Sequence, residues 1–172
     1  NRYHQDVGNA EWSSVNREFT FECVVYPKGA AGGTLIYWQT HRADGPVDQT
    51  IGWELVSDGS LKIMQRNSEW SSWGWNSYQS PTGKVAADAW TYCALTRSNP
   101  DTRWNGYAGT NKVIDANSPE GAVYDYAWNY GGLCWPTHTD ALLDEVRISR
   151  VARSADWLWA SQQTLQNNAG LT

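Results

Sequence analysis

Methionine occurs once and phenylalanine twice in this 172-residue chain, and its apolar runs are only a few residues long. None approaches the length of a bilayer-crossing helix, so membrane insertion is not expected. Cysteine is scarce as well. The three present form no CxxC and no Cys/His spacing suited to zinc. Cys23 and Cys93 sit in apolar, strand-like segments, either as a buried pair or as two unpaired thiols, and Cys134 has no evident partner. Basic residues are few: 13 Lys and Arg against 18 Asp and Glu give a net charge of −5 without long runs. No basic stripe is available for nucleic acid.

The signatures of catalysis are missing too. There is no G-x-S-x-G elbow, no phosphate-binding loop and no dinucleotide fingerprint. The seven Glu include no E-x-D-x-E arrangement that would deliver paired carboxylates from one strand. His4, His41 and His138 are isolated and are assigned to loops or the surface. The chain is therefore expected to be non-catalytic. No apolar leader opens it and Asn1 is not an initiator methionine, so residues 1–172 are expected to be a single domain of a processed or longer protein.

What is present in excess is tryptophan, 12 residues in all. Indoles bring large contact area and one N–H that requires a partner. A single core of this size absorbs only part of such a complement, and the remainder calls for a surface explanation.

Period-2 patterning dominates the chain. In "FTFECVVY", Phe19, Phe21, Cys23 and Val25 alternate with Thr20, Glu22 and Val24, the pattern of a half-buried strand. "TLIYWQT" is β-rich, and "IGWELVSDGSLKIMQ" places two alternating strands around Asp58-Gly59, a tight-turn dipeptide. Further strands are predicted at 73–79, 91–96, 103–108 and 142–149, separated by "SPTG", "SNPD", "NSPEG" and "NYGG". One helix closes the chain, with Ser154 as N-cap, Asp156 in its first turn, Gly170 as its stop and Leu158, Ser161 and Leu165 on one face. It is expected to plug one end of an antiparallel sandwich or barrel.

The closing stretch "LLDEVRISRVARSADWL" resembles the terminal strand-plus-helix signature of laminin-G-like domains, within the concanavalin A-like lectin/glucanase superfamily. "FTFECVVYP", "GWELVSDGSLKI", "AADAWTYCALTR" and "GYAGTNKVI" are similar to that family's segments in the same order, over roughly residues 15–160. The resemblance implies an all-β fold: a two-sheet antiparallel jelly-roll sandwich with one short C-terminal helix. In "LLDEVRIS", Leu142, Val146 and Ile148 are expected to face inward with Asp144 among them. An inward carboxylate needs hydrogen bonds or a cation. Asp144 is expected to accept backbone N–H groups, and the alternative is the calcium ion some family members carry. Arg147 and Glu145 are expected to form a surface ion pair. No cofactor is otherwise required.

Trp38, Trp53, Trp90 and Trp157 are assigned to the core or its rim. "EWSSWGWNSYQS" and "YDYAWNYGGLCW" are harder to bury. Trp73 and Trp75, about 7 Å apart at i and i+2 on a strand, would offer a stacking surface to sugar rings. Trp70, Asn76, Tyr78, Trp128, Tyr130 and Trp135 complete the candidate ligand-binding set. The competing assignment turns Trp73 and Trp75 inward and leaves Trp70 and Trp135 as the surface candidates. At least one indole in residues 69–80 is expected to be exposed.

These features describe a lectin-like extracellular or cell-surface module binding a glycan or polysaccharide. The alternative is an assembly or decoration module of a fibre or virion surface, whose aromatics bury against copies of itself or neighbouring proteins. A glycoside hydrolase is the third reading.

Overall fold

In the computed structural model, residues 4–5, 18–42, 45–67, 74–98, 103–117, 128–133 and 139–168 are described. Eleven strands lie among them: β1 (His4–Gln5), β2 (Phe19–Pro27), β3 (Gly33–Arg42), β4 (Gly45–Leu55), β5 (Leu61–Asn67), β6 (Gly74–Gln79), β7 (Thr91–Ser98), β8 (Arg103–Ala108), β9 (Asn111–Asn117), β10 (Trp128–Leu133) and β11 (Ala141–Ser149). A helix, α1 (Ala155–Asn168), follows. One sheet has six strands in the order β1-β10-β3-β4-β5-β6, the other five in the order β11-β2-β7-β8-β9. Neighbours are antiparallel throughout. The expected two-sheet sandwich is what the chain forms.

Alternation builds the core. Phe19, Phe21, Cys23 and Val25 of β2 meet Ile51, Trp53 and Leu55 of β4 and Leu61 and Ile63 of β5 in one cluster. Each large side chain fully withdrawn from water there contributes about 1.5–3 kcal/mol. Trp53 and Trp104 are wholly buried. Trp104 meets Phe19 edge-on and donates its indole N–H to Gln65 Oε1 at 3.0 Å, so its one polar atom is matched across the sandwich. Burial lowers the Arg97 pKa to about 10, and its guanidinium lies over the Trp104 ring. Cys23 and Cys93 face each other across β2 and β7 as two buried thiols.

The other face of β2 departs from the half-buried expectation. Thr20, Glu22 and Val24 are buried as well, because the segment 151–153 closes over Thr20 and α1 covers Glu22 and Val24. Leu158 and Leu165 join Val24, Tyr92, Ala94 and Tyr107 in a second cluster. The helix thus lies on the outer face of the five-stranded sheet rather than plugging an end of the sandwich. Its start follows the capping expectation: Ser154 Oγ accepts the N–H of Trp157 at 3.2 Å.

The closing strand is where alternation misleads. Between Asp144 and Arg147 the register with β2 shifts, and Glu145 takes a left-handed backbone (φ 51°). This bulge resets the faces. Ala141, Leu143 and Val146 pack on the core; Leu142, opposite Tyr26, turns outward and is 47% exposed, whereas Ile148, opposite Phe21, keeps the inward side but is 41% exposed at the sheet edge. Asp144 is exposed rather than inward.

The Asp58-Gly59 turn forms between β4 and β5 as expected. Asp58 Oδ1 accepts the backbone N–H of Ser60 at 2.9 Å and its hydroxyl at 2.6 Å, and these bonds hold the carboxyl below its ordinary pKa. Gly59 has φ 76°, and a Cβ there would stand 2.5 Å from the Val85 carbonyl oxygen. Gly59→Ala is expected to lower stability by about 1–3 kcal/mol through backbone strain and this clash. Urea denaturation checks it, with an unchanged midpoint as the contrary result.

Candidate functional site

A strand that offers one face to the core offers the other to solvent or to a ligand. On β6, Tyr78 packs against the core opposite Ile63, and Asn76 shares its face opposite the buried Gln65. The Tyr78 hydroxyl donates to the Asn117 carbonyl at 3.0 Å, tying β6 to β9 of the other sheet. Two of the expected ligand-binding residues, Asn76 and Tyr78, therefore belong to the inner face. Position 75 shares the outer face with the exposed Ser77 and Gln79.

The register extends that outer face across the sheet. Position 75 lies opposite Arg66 of β5, Arg66 opposite Thr50 of β4, Thr50 opposite Gln39 of β3, and Gln39 opposite Tyr130 of β10. The five positions form one transverse row, with an aromatic residue at each end. With neighbouring strands about 4.8 Å apart, the ends are about 19 Å apart. Beside it, His41 of β3 lies opposite both Trp128 and Asp48. On the other side run Ser77, Met64, Gly52, Tyr37 and Gly132. A Cβ at Gly52 would meet the Met64 methyl at 3.3 Å. Lys62 pairs with Glu54 at 3.5 Å in the next row. Of the candidate residues, the pairing thus brings Trp75, Trp128 and Tyr130 to one face. Trp70, Trp73 and Trp135 lie outside the described residues.

The sequence reading had no means of naming Arg66, Thr50 and Gln39. Each occupies an outward position on a strand recognisable by its inward residues, but only the register aligns them. The other tryptophans sort as follows. Trp53 is core as expected, and Trp104, not singled out from the sequence, is core too. Position 38 lies opposite Ile51, on the inward side. Trp90 is 38% exposed and stacks on Tyr26, with a centroid separation of 5.4 Å. Trp157 lies under the Arg153 guanidinium, and Trp159 is 55% exposed.

Among the described residues of this face, positions 48 and 54 of β4 carry carboxylates and lie six residues, about 20 Å, apart along the strand. Two-carboxylate glycoside hydrolysis works with separations of about 5–9.5 Å. Asp144 Oδ1 accepts the N–H of Glu145 at 2.8 Å, and Glu145 pairs with Arg147 at 2.7 Å. Calcium takes six to eight oxygen ligands. Among the described residues no group of three or more His, Cys, Asp or Glu is placed to hold a metal ion.

The outer face of the five-stranded sheet is occupied by the protein's own contacts. Glu22 is buried beneath α1, its Oε1 accepting the Tyr92 hydroxyl and the Ser161 hydroxyl. Burial first, and the Glu22 carboxylate second, push the Tyr92 hydroxyl far above the ordinary tyrosine range. Beyond the helix, Asp115 accepts from Arg103 and from Lys112, the latter at 3.0 Å.

No protein family matches the sequence, and no curated protein does. Solved structures do match. The chain is similar to the sialidase module CBM40 of Ruminococcus gnavus bound to α2,3-sialyllactose, with a TM-score of 0.68 at 11% identity over 92% of this chain and 96% of that one. It is also similar to the SAP-like pentraxin of Limulus polyphemus, with a TM-score of 0.60 at 13% identity over 85% and 70%. The fold is the concanavalin A-like jelly roll. A sialidase of Trypanosoma rangeli is similar at 17% identity and a TM-score of 0.61, this jelly roll covering 26% of that chain. Such identities establish the fold alone.

One charge cluster of this jelly roll has a readable pH signature. The hydrogen bonds from Arg103 and then Lys112 hold the Asp115 carboxyl at about 2, below the ordinary carboxylate value. Its contribution to stability is present above pH 4 and is lost as pH falls from 4 toward 2. For a pair this exposed it is at most about 1 kcal/mol and weakens with salt. Titration of the Asp115 carboxyl by NMR is expected to show its midpoint rising toward the ordinary value in Arg103→Gln. An unmoved midpoint would contradict the pairing.

Proposed function

We propose that this concanavalin A-like domain is a non-catalytic carbohydrate-binding module. Its ligand face is the outer face of the six-stranded sheet. The observation that carries this reading is the strand register that brings positions 75, 128 and 130, all aromatic, onto one face with Arg66, Thr50, Gln39 and His41. Aromatic faces bind the C–H patches of sugar rings, and amide, hydroxyl and guanidinium groups read their hydroxyls and charged substituents. The wide spacing of Asp48 and Glu54 supports binding over hydrolysis. The sialyllactose bound to the similar R. gnavus module, and the likeness to a putative carbohydrate-binding protein of Bacteroides ovatus, support the same class of ligand. The closing strand-and-helix stretch supports placing the domain with the laminin-G-like group, at an extracellular or cell-surface location.

A second reading rests on a different surface. Leu142 lies opposite Tyr26, which contacts Trp90, and both Leu142 and Trp90 are exposed. Burial of this apolar group against another subunit would make the chain an assembly module. Sedimentation of the protein over a range of concentrations tests the second reading, which a monomer throughout would contradict.

The test is a glycan array followed by calorimetry on the retained sugars. Trp75→Ala and Tyr130→Ala, with unchanged melting temperatures, are each expected to weaken binding about tenfold or more, the cost of removing a buried aromatic contact. Trp159→Ala is expected to leave it unchanged. Glycan binding that survives both Trp75→Ala and Tyr130→Ala would remove the sheet face from the account.

A further inference from the structure

The transverse row has a length and a charge, and both constrain the ligand. Resting on the carbohydrate-binding reading above, we infer that the row 75–66–50–39–130 takes an acidic, linear oligosaccharide of about four sugars, lying across the strands with its carboxylate or sulfate at Arg66.

The length follows from the register. Positions 75 and 130 are four strand spacings apart, with one outward residue on each of the three intervening strands. A pyranose unit in an extended chain advances by roughly one such spacing, about 4.8 Å. An aromatic residue at each end and polar residues between therefore match a short run of sugars rather than one terminal sugar. A single ring on either aromatic would leave the rest of the row uncontacted.

The charge follows from what shares the row. Arg66 is its one charged residue, with Trp75 and Thr50 as cross-strand neighbours. In the neighbouring rows Lys62 is paired with Glu54 at 3.5 Å, and position 48 lies opposite position 41. Guanidinium donors in a planar fork match a carboxylate or sulfate in two hydrogen bonds. The chain as a whole carries −5, so it repels a polyanion at long range. Attraction to an acidic sugar has to be local, and such binding releases few counterions. This predicts a shallow dependence on salt, unlike that of a basic protein on a polyanion.

The probes are arrayed sialylated, uronate-bearing and sulfated oligosaccharides of one to six sugars, each beside its neutral parent. The folded wild type, Arg66→Gln, Arg66→Lys and Trp75→Ala variants are applied to all of them. Acidic members are expected to bind about tenfold tighter than their neutral parents, a preference that Arg66→Gln abolishes and Arg66→Lys only partly restores. Affinity is expected to climb with length to about four sugars and then level, and Trp75→Ala is expected to remove the length dependence. Equal binding of neutral parents, with Arg66→Gln silent, would overturn the acidic assignment while leaving carbohydrate binding intact. A monosaccharide bound as tightly as a tetrasaccharide would overturn the row. Retention of no glycan at all would fail the carbohydrate reading itself.

Discussion

The central strands β2 and β7 of the five-stranded sheet are buried on both faces, and the placement of everything else follows from that. The sheet's inner face fills the sandwich with Phe19, Phe21, Cys23, Val25 and Leu95. Its outer face carries α1 over Val24, Tyr92, Ala94 and Tyr107. Covering that face puts Glu22 out of water, a cost of several kcal/mol for an unpaired charge. The hydroxyls of Tyr92 and Ser161 offset part of it by donating to Oε1. The helix, the buried carboxylate and the Arg103–Asp115–Lys112 cluster together take up this side of the molecule. Among the described residues, the broad face without a helix on it belongs to the six-stranded sheet.

Much of the architecture was legible because local rules agreed with one another. The Asp58-Gly59 turn and the Ser154 cap each specify geometry within a few residues and formed as read, and "FTFECVVY" formed the strand its alternation announced, though both of its faces are buried. Three features were not legible. The bulge at Asp144–Arg147 resets inward and outward positions, and its sequence carries no glycine to announce a left-handed residue at Glu145. β10 contains Gly131 and Gly132, which read as a flexible break but pair in register with Trp38 and Tyr37. The burial of Thr20, Glu22 and Val24 depends on α1 and the segment before it, more than a hundred residues away in sequence, which no local pattern encodes.

The candidate site divides along the same line. An excess of indoles in polar surroundings was enough to single out positions 75, 128 and 130, because composition alone marks aromatics that a core does not need. Asn76 and Tyr78 were grouped with them by proximity in sequence. The pleat assigns these two to the opposite face, where the Tyr78 ring packs on the core and its hydroxyl bridges to β9. Conversely, Arg66, Thr50 and Gln39 had no distinguishing context in one dimension. They become neighbours only when β3, β4, β5 and β6 are in register, so their grouping is a property of the sheet rather than of any segment.

The central claim is that the ligand lies on the outer face of the six-stranded sheet. Backbone amide shifts of the isotope-labelled domain, titrated with an oligosaccharide retained on the array, test it most directly. The account predicts perturbations along β6, β5, β4, β3 and β10, largest near positions 75, 66, 50, 39 and 130, with α1, β2 and β7 quiet. Perturbations confined to α1 and the outer face of the five-stranded sheet would contradict it.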